Sequence, residues 1–166
     1  MSRAYLLLGS NVEPRFGFIM EAIRLIGNES GMVLGTSSIY ESEPWGFQAE
    51  THFLNCVVLL DTELSPMDLL SEALKIEKSM GRTRQGSGYA SRNIDIDILY
   101  FNDEAVNLPG LIIPHPRLHE RRFTLEPLVE IAPDFVHPVV GKTNSELLER
   151  VNDSSEVRTF KTAQEL

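Results

Sequence analysis

Arg92-Asn93-Ile94-Asp95-Ile96-Asp97-Ile98-Leu99-Tyr100 alternates isoleucine with aspartate and then runs on apolar. Alternation of this kind is the period-2 pattern of a β-strand with two unlike faces. It predicts Asp95 and Asp97 on one face, with Leu99 and Phe101 continuing it, and Ile94, Ile96 and Ile98 on the other. Same-face carboxylates two residues apart stand about 6.5–7 Å apart along a strand. That span can flank two divalent cations, which in two-metal sites lie about 3.5–4 Å from each other. An isolated Asp-x-Asp is commonly no more than the solvated face of a strand, and on these residues alone that reading stays open. Arg92, three residues before Asp95, and the basic, glycine-bearing stretch ahead of it favour a chemical role. Acids for metal beside arginines for phosphate point to phosphoryl chemistry.

The 166 residues suit one domain, 1–166, around a single core, and 42% hydrophobic with 23% charged residues predicts an ordered globular chain. Lys+Arg 15 against Asp+Glu 24 gives a net charge of −9, which argues against nucleic-acid or anionic-membrane partners. The arginines are unevenly placed: Arg82, Arg84 and Arg92 fall in one short stretch, Arg117, Arg121 and Arg122 in another. Local positive charge on an acidic body suits a small polyanion. Cys56 lies in the apolar run 53–60 and reads as a buried, reduced core residue. No targeting peptide or membrane-spanning run is seen, so the cytoplasm is the expected place; a monomer is expected as well.

Taken in order, Tyr5-Leu6-Leu7-Leu8 reads as a central strand buried on both faces. Pro14 opens a helix with Phe16, Ile19, Met20, Ile23 and Ile26 at helical spacing, ending near Gly27. A second strand is expected over 32–40, then a loop from 41 to 51 whose Trp45, on pattern alone, is more often a surface plug than a ligand contact. Residues 53–61 return as a strand. Ser65-Pro66 starts a helix with Leu69, Ala73, Ile76 and Met80 as its buried stripe and Gly81 as its stop. Glu77, near the unfavourable end of that helix, is read as paired with Arg82 or Arg92, or as solvated. Residues 82–91 read as a flexible loop, and Leu111-Ile112-Ile113 as a short strand before Pro114-His115-Pro116. A helix follows near 125–132, and Thr143-Asn144-Ser145-Glu146 carries a capping-box pattern for a last one. The order is β-α-β-β-α-β: an α+β, ferredoxin-like core with a mainly antiparallel sheet, helices packed on it, and C-terminal helices.

No phosphate-binding glycine loop, nucleophile elbow or clustered Cys/His site is present. His115, Phe53 and Phe123 taken singly read as structural residues. Together, however, Leu8-Gly9-Ser10-Asn11, Pro44-Trp45-Gly46, Phe53-Leu54-Asn55, Gly81-Arg82, Arg92-Asn93-Ile94-Asp95-Ile96-Asp97 and Ile113-Pro114-His115, with Arg121 and Phe123, make the chain resemble the 6-hydroxymethyl-7,8-dihydropterin pyrophosphokinases of the folate pathway. The resemblance covers roughly residues 4–135.

It implies transfer of diphosphate from ATP, as co-substrate, to the hydroxymethyl group of 6-hydroxymethyl-7,8-dihydropterin, with AMP released and two Mg2+ ions required. Asp95 and Asp97 would then hold both ions. Phe53 and Phe123 would sandwich the pterin, Asn55 would bond its edge, and Ser42, Pro44, Trp45 and Gly46 would complete the pocket. Arg82 and Arg92 would meet the transferring phosphates, with Arg84, Tyr89, His115 and Arg121 around ATP and Ile98 against adenine. The chain departs from the family pattern in having Phe53 for a common tyrosine, Tyr89 for tryptophan, Leu74 for glutamine, Ser91 for proline and Pro116 for an aromatic residue. A non-catalytic ligand-binding module on the same fold is the alternative.

Overall fold

A strand with unlike faces must find a core for one of them, and here a single antiparallel sheet has a core on each side. The structure is a computed structural model describing residues 1–43, 51–81 and 93–166 together with the backbone of 83–85 and 89–91. In chain order its elements are β1 (Ser2–Ser10), α1 (Arg15–Glu29), β2 (Met32–Thr36), β3 (Ile39–Ser42), β4 (Phe53–Thr62), α2 (Pro66–Ser79), β5 (Thr83–Gln85), β6 (Tyr89–Ser91) and β7 (Asp95–Phe101). There follow β8 (Val106–Leu108), β9 (Leu111–Ile113), a 3-10 turn (Leu118–Glu120), α3 (Arg122–Ile131), α4 (Asn144–Arg150), β10 (Val157–Lys161) and a last 3-10 turn (Ala163–Glu165). The main sheet runs β10-β3-β4-β1-β7, and β2 lies ahead of β3 along the same edge of β4. This is the expected ferredoxin-like α+β arrangement.

One face of the sheet buries Leu6 and Leu8 of β1 with Ile19, Ala22 and Ile26 of α1 and Leu69, Ala73 and Ile76 of α2. The other buries Leu7 and Val57 beneath Leu125 and Leu128 of α3 and Leu147 of α4. β1 is therefore apolar on both faces, as its unbroken leucine run requires. α2 begins as its sequence dictates: Ser65 Oγ accepts from the Asp68 N–H at 3.2 Å, and Pro66 fills the first position. The capping box of α4 forms in both directions between Thr143 and Glu146.

Several expectations are corrected. The strand expected over 32–40 is broken into β2 and β3, because Ser38 leaves the sheet for α3: its N–H and hydroxyl both donate, at 2.8 Å, to Glu130. α1 runs past Gly27 to Glu29, and α3 starts at Arg122, ahead of the expected 125. Residues 83–85 and 89–91, expected in a loop, pair as antiparallel strands flanking the Gly-Ser-Gly sequence, with Thr83 opposite Ser91. The C-terminal part holds α4 as expected but also β10, which adds an edge strand beside β3. Finally, β7 bulges at Leu99: β1 pairs Leu6 with Ile98 but Tyr5 with Tyr100. The bulge reverses the alternation, so Phe101 joins the isoleucine side and Tyr100 the α3 side.

Tyr100, fully buried by that bulge, donates its hydroxyl to Asn144 Oδ1 at 2.8 Å, and Asn144 Nδ2 donates to the Ala132 carbonyl at 2.9 Å. Asn144→Leu orphans two buried groups and is expected to lower unfolding free energy by about 2–4 kcal/mol in urea titrations, against roughly half that for Tyr100→Phe. Equal losses in the two variants would show that the amide is not the hub of this contact.

Candidate active site

Strand register builds the site. Tyr40, Asn55, Gly9 and Asp95 stand in one row across β3, β4, β1 and β7, and Val57, Leu7 and Asp97 stand in another. Leu7 and Val57 lie under α3, so Gly9, Asn55 and both aspartates face the same side. There a cavity of about 170 Å³ opens. Leu7 and Gly9 form its floor, Phe53 and Asn55 one wall, Asp95 and Asp97 the opposite wall; Ser42 and Glu43 close one end, Arg121 and Phe123 the other.

Gly9 makes the space. A Cβ on it would stand 3.1 Å from Asn55 Oδ1 and 3.8 Å from the Phe53 ring, filling the gap between those side chains. Asn55, buried, donates from Nδ2 to Ser42 Oγ at 2.8 Å, which leaves its amide oxygen turned toward Gly9. The Arg121 guanidinium sits 5.5 Å from the centre of the Phe123 ring, a cation–π contact. Burial draws the Arg121 pKa down, and attraction to Asp97 opposes it.

β7 is the edge of the main sheet, and an edge strand has outward N–H groups to satisfy. Glu77 of α2 supplies one acceptor: its Oε2 takes the Ile96 N–H at 2.8 Å, with the side chain buried. The solvated reading of Glu77 is thereby excluded. At the bulge the Leu99 carbonyl is free to accept the His115 N–H at 3.0 Å, which fixes His115 beside β7. Nδ1 of His115 accepts from the Arg117 N–H at 3.2 Å, so the neutral ring carries its hydrogen on Nε2. Burial, with Arg121 and Arg117 adding to it, pushes the His115 pKa down to about 4.

A second cavity, about 360 Å³, wraps the outer edge of β7. It shares Asp97 with the first and is lined from the strand's other face by Ile96 and Ile98, then by Leu70, the β8–β9 hairpin and His115. Of the residues expected to act, Ser42, Phe53, Asn55, Asp95, Asp97, Arg121 and Phe123 meet at the first cavity, and Asp97, Ile98 and His115 at the second. Arg121, expected beside the nucleotide, borders the first cavity. Pro44, Trp45, Gly46, Arg82 and Arg92 lie outside the described residues, as do the side chains of Arg84 and Tyr89. Sequence reasoning gave Gly9 no role in the site, although a glycine inside an apolar strand signals close approach. It also passed over Leu7 and Glu43 in the first cavity and Leu108 and Ile112 in the second, for which the sequence carries no signal.

The donor set suits magnesium. Among the described residues no group of three or more His, Cys, Asp or Glu is placed to cage a metal, whereas two carboxylates share one cavity wall. Hard carboxylate oxygens that leave the remaining positions to water and substrate phosphates are the usual protein share of a Mg2+ site.

Comparison with known proteins bears on which chemistry this is. A protein of Aquifex aeolicus named 2-amino-4-hydroxy-6-hydroxymethyldihydropteridine pyrophosphokinase is 41% identical over 142 residues, 86% of this chain and 88% of that one. The folic acid synthesis protein fol1 of Pneumocystis carinii is 41% identical over 149 residues, and there the match spans 90% of this chain but only 20% of the longer protein. The HPPK-DHPS of Plasmodium falciparum, solved with pteroate, superposes with a TM-score of 0.74 at 19% identity, over 90% of this chain and 42% of that chain, and so speaks to the fold. Residues 5–133 match the model of the 7,8-dihydro-6-hydroxymethylpterin-pyrophosphokinase family, and with that match, and a bacterial relative of similar length, this chain belongs to that family.

Proposed function

We propose that this chain transfers the diphosphate of ATP to the hydroxymethyl group of 6-hydroxymethyl-7,8-dihydropterin and releases AMP, as one domain over 1–166 working as a cytoplasmic monomer. The observation that carries the reading is the place of Asp97, which lines both cavities at once. One cavity has the aromatic faces and amide of a flat heterocycle's pocket; the other has apolar walls and a neutral imidazole for a nucleotide. The reacting atoms would meet at the carboxylate between them. Among the described residues no helix is long and apolar enough to cross a membrane.

In the proposed reaction the pterin hydroxyl oxygen attacks the β-phosphorus, the bond from that phosphorus to the oxygen shared with the α-phosphorus breaks, and the hydroxyl proton is lost to solvent. Phe53 and Phe123 hold the ring by apolar contact and stacking, and Asn55 fixes its rotation by hydrogen bonding at one edge. Asp95 and Asp97 would hold two Mg2+ ions, which when bound neutralise the phosphoryl oxygens and align the attacking and leaving oxygens. Arg121 adds fixed positive charge at the cavity rim, and His115 offers an Nε2–H donor with no proton to lose near neutral pH. Ile98 gives the adenine an apolar wall. Arg82, Arg92, Arg84 and Tyr89 are assigned to the phosphates and adenosine from the family resemblance, and Ser42 with Pro44, Trp45 and Gly46 to the pterin's far edge.

The deciding assay combines the protein, ATP, Mg2+ and the hydroxymethyl pterin and identifies the nucleotide product. AMP with a pterin diphosphate is expected; ADP with a pterin monophosphate rejects diphosphate transfer, and binding without turnover leaves a ligand-binding module. Asp95→Asn and Asp97→Asn should each lower kcat by about 10²–10³-fold or more, with the circular dichroism spectrum and the pterin Kd little changed. Near-normal turnover in either variant defeats the metal assignment.

His115 gives a pH test. An unfolded histidine titrates near 6.5, whereas folding lowers this one to about 4. Above pH 6.5 the ring is neutral in both states. As pH falls from there toward 4, only the unfolded chain takes the proton, so this contribution to stability is lost on acidification. His115→Gln should flatten the pH dependence of unfolding in that window, and proton NMR of the wild type should find the ring titrating well below 6.5.

A further inference from the structure

The chain enters and leaves the segment between α2 and β7 at Gly81 and Asn93, and these two residues touch. Asn93 Nδ2 donates to the Met80 carbonyl, at the end of α2, at 2.7 Å. The Asn93 carbonyl accepts from the hydroxyl of Ser10, the last residue of β1, at 2.7 Å. Gly81 has φ +98°, and a Cβ on it would lie 2.7 Å from Asn93 Nδ2. Glycine is therefore required there twice, for the backbone turn and for the room the amide takes up. The ends of β1 and α2 and the approach to β7 are tied at one residue, two positions before Asp95. Just beyond the tie the backbone pairing of β5 and β6 begins, Thr83 opposite Ser91.

A plain helix cap is the modest alternative, since Met80 O is one of the orphan carbonyls at the end of α2. A cap, however, needs only a donor, and solvent can supply one. Here the donor is the residue from which the chain leaves the hairpin, and its own carbonyl is held by the strand that forms the cavity floor. In sequence, Arg82 directly follows Gly81 and Arg92 directly precedes Asn93. Closing this junction therefore sets where the described backbone of β5 and β6 starts relative to the strand of Asp95 and Asp97.

We propose that Asn93 is a positioning residue, a clasp that closes the base of the β5–β6 hairpin and sets it beside the carboxylate strand. The consequence for turnover rests on the pyrophosphokinase reading; the clasp itself does not. It acts on the nucleotide side, because Phe53 and Asn55 are carried by β4 and Phe123 by α3, whereas the junction joins β1, α2 and the approach to β7.

The test uses Asn93→Ala, which removes the amide, and Asn93→Asp, which keeps its shape but puts an acceptor against the Met80 carbonyl. Amide hydrogen exchange at 83–85 and 89–91 should rise at least about tenfold in both variants while β1 and β4 stay protected. In the same preparations kcat/KM for ATP should fall at least about tenfold, with the pterin Kd measured without nucleotide held within about twofold. Unchanged hairpin exchange, with faster exchange confined to the last turn of α2, would reduce Asn93 to a cap and overturn the proposal. So would a loosened hairpin with normal kcat/KM, a wild-type-like Asn93→Asp, or an equal loss of pterin binding. A wild-type protein that makes no AMP sinks the functional reading instead, and the exchange measurement still decides the clasp.

Discussion

Burial of Ile94, Ile96 and Ile98 in the layer formed by α1 and α2 is the constraint on which the site depends. Each is at most 5% exposed, and fully burying an isoleucine side chain is worth about 1.5–3 kcal/mol. The three together outweigh the repulsion of two carboxylates on a cavity wall. Register is also all-or-none: a slip of one residue would turn the isoleucines outward and drive Asp95 and Asp97 into the helix layer, at the cost of burying two charges. The aspartates are therefore placed by the burial of apolar side chains on the opposite face of their own strand. Their alternation puts functional acids wherever the apolar set is anchored.

The same strand lies at the sheet's edge, and an open edge is ordinarily a hazard. Here individual side chains and loops cover it. Glu77 takes the Ile96 N–H, the residue after the cis-proline peptide at Ile113–Pro114 donates to the Leu99 carbonyl, and Asn93 is tied to the end of α2. Because, among the described residues, no further strand is added to β7 in the main sheet, a ligand can reach around it. That is how Asp97 on one face and Ile98 on the other come to line one cavity. A central strand could not offer both.

Much of this was legible in the residues. The leucine run of β1, the helical spacing in α1 and α2, the Ser65-Pro66 start, the capping box at Thr143 and the acid–isoleucine alternation are local patterns, and local patterns report local structure. What escaped depends on partners distant in sequence. Ser38 leaves the sheet because Glu130, ninety-two residues on, accepts both of its donors. β10, mostly half-buried or exposed, carries no strong alternation and is held by pairing with β3 and by ion pairs such as Arg158 with Glu41. The Leu99 bulge is invisible in a continuous apolar run, yet it decides which side Tyr100 and Phe101 take. The candidate site was legible where aromatics and acids stood at strand spacing, and illegible where backbone approach mattered, as at Gly9.

The electrostatics of residues 115–122 explain how a chain of net charge −9 can still favour a polyphosphate. Arg117 and Arg121 each disfavour a further positive charge on His115, and burial disfavours it more. Arg121 is itself disfavoured by burial and by Arg117, with Asp97 as a counterweight. A partly desolvated cation cluster of this kind stores unfavourable energy that an incoming anion relieves, so its attraction is local and survives the acidic surface around it. The relief has a direction. Negative charge arriving near Arg121 and His115 offsets the cost of burying the guanidinium and favours protonation of the imidazole, so the pull on each pKa is upward. By linkage the anion must then bind more tightly as pH falls toward the free-state value of His115, while the folded chain that receives it is growing less stable. Burial and the two arginines thus keep the ring a neutral Nε2–H donor in the free chain, and the fold loses stability at pH values low enough to charge it.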